Sequence, residues 1–245
     1  MKPSLIPPQK RGLFDLQGED VRKFLNGIVT QDIQTLKTGN SCYALLCNNK
    51  GKILADLFVY CAGDKHFFVD CDLALRQKVW DQLKRYIIFQ KIELQDLSDQ
   101  WRVATVMNGD RAVPTSVRTI RKTVWGFPAM ELWIPSGISV PFDLPVLGEA
   151  EQEILRIESA TPKYGVDFDE TNLPQEVGLL QAVSFTKGCY VGQEIIARLQ
   201  HLGHVNKQLV LATSPEEPLD KVTSRCNSPK YQAEIRLGYE KRRPR

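Results

Sequence analysis

Apolar and polar positions along this chain repeat at two spacings, and the places where the spacing changes mark the elements. Residues 13–16 form a short apolar run, and Gly18-Glu19-Asp20 after it reads as a helix start with acids in its first turn. Val21, Phe24, Leu25 and Ile28 then fall on one helical face. Residues 41–47 and 53–61 are strand-like and are joined by the polar turn Asn48-Asn49-Lys50-Gly51-Lys52. A second turn at 62–65 leads into 66–70, so an antiparallel meander is expected. Residues 73–86 take helical spacing through Leu75, Val79 and Leu83, and 87–94 return to strand. Further strands are predicted over 101–107 and 122–134, separated by a loop carrying Pro114. Residues 149–160 are amphipathic through Ile154, Leu155 and Ile157, and a loop with Pro162, Gly165 and Pro174 leads to an apolar stretch at 179–183. From Tyr190 a helix is predicted, with Val191, Ile195 and Leu199 at i, i+4, i+8 and with Ile196 and Leu202 widening the stripe. Strands at 208–212 and 234–239 flank a Pro/Ser-rich connection over 214–229. The fold class is α+β, with a small all-β piece at the C-terminus.

Composition narrows this picture. The 245 residues are 42% apolar, enough for a core in one large domain or two to three small ones. Net charge is +3 with signs mixed, and much of the surplus lies in Lys241-Arg242-Arg243-Pro244-Arg245, read as a solvated tail. The six cysteines, at 42, 47, 61, 71, 189 and 226, contain no C-x-x-C pair and read as reduced thiols of a cytoplasmic protein. Residues 1–11 carry three prolines and no apolar core of a secretory signal, and no stretch has membrane-spanning length.

The densest chemistry lies in Lys187-Gly188-Cys189-Tyr190-Val191-Gly192-Gln193-Glu194-Ile195-Ile196-Ala197-Arg198. Gly188 permits a sharp turn before Cys189. Glu194 and Arg198 stand at i, i+4 in the order that favours a helix pair. Gly192 in a first helical turn suggests close approach of another backbone or a ligand, since glycine costs a helix about 1 kcal/mol relative to alanine. Cys189, at or just before a helix N-terminus and two residues after Lys187, sits where thiolate is favoured over thiol. It is a candidate nucleophile, redox thiol or soft-metal ligand; the plain alternative is a buried structural cysteine.

Residues 187–194 resemble the K-G-C-[FY]-x-G-Q-E signature of the YgfZ family, folate-binding proteins related to the aminomethyltransferase (T-protein) of the glycine cleavage system. The resemblance spans most of the chain. Residues 45–57 are similar to the family's N-terminal hairpin. Leu155-Arg156-Ile157-Glu158 with Tyr164-Gly165-Val166-Asp167-Phe168 resembles its R-[LI]-E…G-x-D-[FM] segment, and Leu173-Pro174-Gln175-Glu176 its L-P-Q-E. The resemblance implies a ring-like three-subdomain architecture around a central folate cavity, closed by a small C-terminal β-barrel that is trimmed here near 214–221. The divisions expected are 1–140, an α+β folate-binding portion with an antiparallel sheet; 141–204, carrying the signature; and 205–245, the barrel.

By position the family implies Cys189 and Lys187 as the reactive pair, with Gly188, Tyr190, Gly192, Gln193, Glu194 and Arg198 completing the motif. Glu158 falls where a T-protein glutamate meets the pterin ring, and a carboxylate suits paired N–H donors. As a plain sequence feature, Glu158 reads as a surface acid. Asp56 matches one of two adjacent T-protein aspartates, the other being Ala55 here, which weakens an aminomethyl transferase reading. Asn49, in the hairpin turn, completes the implied folate contacts. The expected cofactor is tetrahydrofolate or a related reduced folate. The expected function is assembly or repair of 4Fe-4S clusters, with indirect effects on tRNA modification. Partners would be iron–sulfur client enzymes or cluster-assembly proteins, served by a monomer with no direct nucleic-acid or membrane contact. A folate-dependent C1 transferase and an RNA-binding module stand as alternatives; the charge pattern away from the tail argues against the latter. No metal site is expected, because His201 and His204 lack further ligands nearby in sequence.

Overall fold

The computed structural model of the chain describes residues 2–242, with Leu202 described by its main chain alone. It is an α+β protein built on three antiparallel sheets. The elements are β1 (Ser4–Gln9), β2 (Gly12–Gln17), α1 (Val21–Ile28), β3 (Ser41–Cys47), β4 (Ile53–Gly63), β5 (His66–Cys71), α2 (Arg76–Tyr86), β6 (Glu93–Asp96), β7 (Trp101–Met107), β8 (Arg118–Val124), β9 (Phe127–Pro135), α3 (Glu149–Glu158), α4 (Gln193–Leu202), β10 (Lys207–Ala212), β11 (Lys221–Ser228) and β12 (Ala233–Lys241).

The five-stranded sheet runs β3-β4-β5-β2-β6 and is covered on both faces, which is why 53–61 reads as an almost unbroken apolar run. On one face Ala55, Leu57, Val59 and Phe67 meet Val21, Phe24, Leu25 and Ile28 of α1 and Val79 and Leu83 of α2. On the other, Tyr60 and Phe68 meet Trp133 of β9, with edge-on ring contacts at 5.1 Å and 5.2 Å. Trp133 thereby joins this sheet to the four-stranded one, β1-β7-β9-β8. The three-stranded sheet, β10-β12-β11, is an open array among the described residues, with β10 and β11 as its edges rather than a closed barrel. It packs on α3 through Ile157, Ile235 and Leu237.

Several expectations shift. Two of the N-terminal prolines, Pro7 and Pro8, belong to β1, an edge strand paired with β7, and sit where the register slips between Ile6 and Gln9. Proline lacks the ladder N–H and is tolerated at such an edge or bulge. The strand expected over 87–94 is confined to β6, and part of the Pro/Ser-rich connection is β11, paired along β12. The helix predicted from Tyr190 begins at Gln193. Residues 243–245 of the basic tail lie outside the described residues.

Candidate functional site

A cavity of about 610 Å³ is lined by both larger sheets and by the chain segments 159–164 and 178–181. From the five-stranded sheet come Tyr43, Asp56 and Phe58; from the four-stranded sheet come Val103, Thr105 and Glu131. Period-2 alternation along β4 explains Asp56: its neighbours Ala55 and Leu57 point into the core under α1 and α2, so Asp56 faces the opposite way. The Tyr43 hydroxyl donates to Asp56 Oδ2 at 2.9 Å. Desolvation in the wall raises the Asp56 carboxyl above its ordinary pKa, opposed by that hydroxyl and by the Arg11 guanidinium.

The cavity floor is charged. Arg11 forks onto Asp70 through Nε at 2.8 Å and an Nη at 3.0 Å. Glu131 is buried beneath it, ion-paired with Lys122 and accepting from Trp133 Nε1 at 2.8 Å and from the Tyr60 hydroxyl at 3.0 Å. Burial alone would raise the Glu131 carboxyl, but the Lys122 ammonium, Trp133 and Arg11 outweigh it and hold it below its usual range. At the rim the β8–β9 hairpin turns through Trp125 and Gly126, with φ of 51° and 82°, and both residues line the cavity. A tryptophan held in the left-handed region is unusual for a side chain of that bulk.

The signature packs against the far end of the β3–β4 hairpin. Gly192 has φ +85°, and a Cβ there would lie 2.5 Å from the Asn48 carbonyl oxygen, so only glycine fits the close approach. Gly51, at φ +73°, mirrors it across the contact. The Gln175 side chain of the L-P-Q-E stretch donates to the Ile196 carbonyl at 2.7 Å and clamps α4. Lys187 is buried, and its ammonium donates to the carbonyls of Asn26, Val29 and Gln31 at 2.6, 2.8 and 2.8 Å. Desolvation lowers its pKa to about 8. Tyr190 is buried beside it, its ring 4.9 Å from the ammonium, and burial pushes its hydroxyl up to about 12. Between these two buried residues Cys189 is exposed. A buried structural thiol is therefore the wrong description of Cys189.

The comparisons fit this geometry. Residues 5–116 match the model of the GCVT N-terminal domain. That match covers a little under half of the chain. The chain is 28% identical over 220 residues to the iron-sulfur cluster assembly factor IBA57 homolog, mitochondrial, of Mycosarcoma maydis, covering 82% of this chain and 54% of that protein. It is 24% identical to the tRNA-modifying protein YgfZ of Colwellia psychrerythraea, covering 87% of this chain and 72% of that protein. Its fold superposes on the glycine cleavage system aminomethyltransferase T of Bartonella henselae with a TM-score of 0.84, at 17% identity, over 98% of this chain and 78% of that one. The chain spans only about half to two thirds of the length of the first three curated relatives it matches.

Of the residues singled out from sequence, the structure brings Asp56 into the cavity wall and places the others elsewhere. Glu158 ends α3 with its carboxylate on the Ser228 hydroxyl and the Lys230 amide, facing the β11–β12 turn; the residues that follow it, Ser159 to Lys163, reach the cavity. Asn49 is exposed at the hairpin tip, while Asn48 shapes the turn by accepting from the amides of Lys50 and Lys52. Gly188 is exposed next to Cys189; Gln193 opens α4; Glu194 and Arg198 lie on its outer side, with no ion pair between them among the described residues. Arg156 of the R-[LI]-E stretch is buried, bound to Asp167 at 2.6 Å and to Ser224 at 2.8 Å, and so ties α3 to the three-stranded sheet. Arg11, Glu131 and Lys122 were missed. The available signal was a lone acid inside the apolar run 129–134 and a cationic residue at an alternating position of the facing strand. Among the described residues no group of three or more metal-ligating side chains is disposed to hold a metal, and no helix is long and apolar enough to cross a membrane.

Proposed function

We propose that this chain binds a reduced folate in the cavity and supports assembly or repair of 4Fe-4S clusters, with Cys189 as its working thiol. The observation that carries the reading is the pairing of two features: a cavity with an unusually basic carboxylate in its wall, and an exposed thiol on a rigidly packed signature. The cavity volume falls in the range of small-molecule sites, roughly 300–1,000 Å³. The donors and acceptors present also fit a folate. Asp56 offers an acceptor for pterin N–H groups, Tyr43 and Phe58 give it aromatic neighbours, and Lys163 at the edge suits the carboxylates of a glutamyl tail. A reduced folate supplies a carrier for one-carbon units. The chain's own residues bind it, orient it and set the charge of the surrounding wall.

This reading keeps the ring-like, three-part arrangement with divisions near residues 140 and 204. It takes iron–sulfur client enzymes or cluster-assembly proteins as partners of a monomer, and reaches tRNA modification through 4Fe-4S enzymes. The cytoplasm is the proposed compartment, although the Mycosarcoma relative is named as mitochondrial.

Calorimetric titration with tetrahydrofolate tests the site. Wild type is expected to bind, Asp56→Asn to bind at least tenfold more weakly, and Glu158→Ala to decide whether the acid implied by family position contributes as well. Cys189→Ser is expected to bind folate normally and fail to restore a 4Fe-4S client. Absence of binding, or full client activity of Cys189→Ser, overturns the reading. Aminomethyl transfer is the second reading, favoured by the raised carboxyl of Asp56. Ala55 counts less against it than the sequence suggests, because that position faces the core and not the cavity. Formation of methylene-tetrahydrofolate from an aminomethyl donor would establish it.

A further inference from the structure

Lys187 carries a charge into a mostly enclosed site and spends all three of its protons there. Its acceptors are the carbonyls of Asn26, Val29 and Gln31, which lie in the last turn of α1 and the chain just after it. The C-terminal end of a helix leaves such carbonyls without intrahelical partners and carries negative partial charge, so an ammonium is a natural cap. The same stretch holds the signature a second time: the Val191 amide donates to the Gly27 carbonyl at 3.2 Å. Gly188, Cys189 and Tyr190 are therefore a three-residue span anchored at both ends on residues 26–31. Tyr190 turns inward, leaving Cys189 as the exposed member.

Residues 26–31 also reach the cavity wall. The Thr30 hydroxyl donates to the Ala182 carbonyl at 2.6 Å, and the Gln31 side chain to the carbonyl of Gln181 at 3.0 Å; Gln181 lines the cavity. The geometry points to Lys187 as a positioning residue, which fixes where Cys189 is presented relative to the cavity wall and exchanges no proton with the thiol. No hydrogen bond or ion pair of the Lys187 ammonium goes to anything other than the three carbonyls among the described residues. The inference rests on the reading of Cys189 as the working thiol only for its functional arm.

The test is a nitroxide label on Cys189 in a Cys42→Ala, Cys226→Ala background, compared with the same label at Asn49→Cys, the exposed hairpin tip. The label at Cys189 is expected to give a slow, backbone-limited spectrum. In Lys187→Met it is expected to sharpen toward that of the hairpin tip, while far-ultraviolet circular dichroism and tetrahydrofolate affinity stay at wild-type values and restoration of a 4Fe-4S client falls about tenfold. If the methionine variant does not fold, Lys187→Gln, which keeps two donors on a shorter arm, is expected to give an intermediate spectrum. A Cys189 label already as mobile as the hairpin tip in the presence of Lys187, or one unmoved by either substitution, overturns the positioning role. Full client activity of Cys189→Ser alongside a mobilised label would instead sink the thiol reading and leave the positioning intact.

Discussion

Asp56 shows how one side chain can be turned into a cavity wall at the expense of the fold. Its folded pKa is raised, so the unfolded chain releases the proton more readily than the folded chain does. Whatever stability the group contributes is present below the unfolded carboxyl pKa of about 4 and is lost as pH climbs through the folded value. Asp56→Asn keeps the shape and removes the ionisation. It is expected to raise Tm at pH 7, by about 2–4 °C for each kcal/mol relieved in a chain of this size, and the gain should shrink toward zero in scans at progressively lower pH. A Tm lowered at pH 7 would mean that the carboxylate is better satisfied than its surroundings indicate. Cys189 presents the opposite case at this scale. Its exposure could not be read from its neighbours in sequence, because the turn that exposes it is set by Lys187 and Tyr190 both going inward.

Elements whose partners are close in sequence were legible, and those held by distant partners were not. The face of α1 formed by Val21, Phe24, Leu25 and Ile28 is buried as its spacing predicts, and β7 has the predicted bounds. In contrast β11, though it pairs with the next strand in sequence, is hidden by its mostly polar residues, and β1 owes its strand state to β7, which supplies the hydrogen-bond ladder that local propensity does not. The same dependence governs α3. Arg156 looks like one more cation on an amphipathic helix, yet it is buried against Asp167, which also accepts from the hydroxyls of Thr223 and Ser224. Replacing only one partner leaves the other charge buried and unpaired. Arg156→Met is therefore expected to cost about 3–5 kcal/mol in urea unfolding. A loss under 1 kcal/mol would show that α3 is fixed on the three-stranded sheet by its apolar contacts alone.

At the scale of the whole molecule, the cavity exists because two sheets lean on one tryptophan. Trp133 is buried against Tyr60 and Phe68 and also donates to Glu131 in the cavity floor, so core packing and site geometry share a residue. Trp133→Ala is expected to cost about 3–5 kcal/mol and to weaken tetrahydrofolate binding as well. Retained affinity in a destabilised variant would separate the floor from the site. The sequence by itself determined the α+β class, the helical faces, the central meander and the signature, because each is written in spacings a few residues long. Only the tertiary structure decided that Glu131 rather than Glu158 reaches the cavity, that Lys187 spends its charge on the end of α1, and that β1 is a strand. Those outcomes depend on which remote backbone supplies the hydrogen bonds and which remote side chain supplies the opposite charge, and no local pattern encodes either.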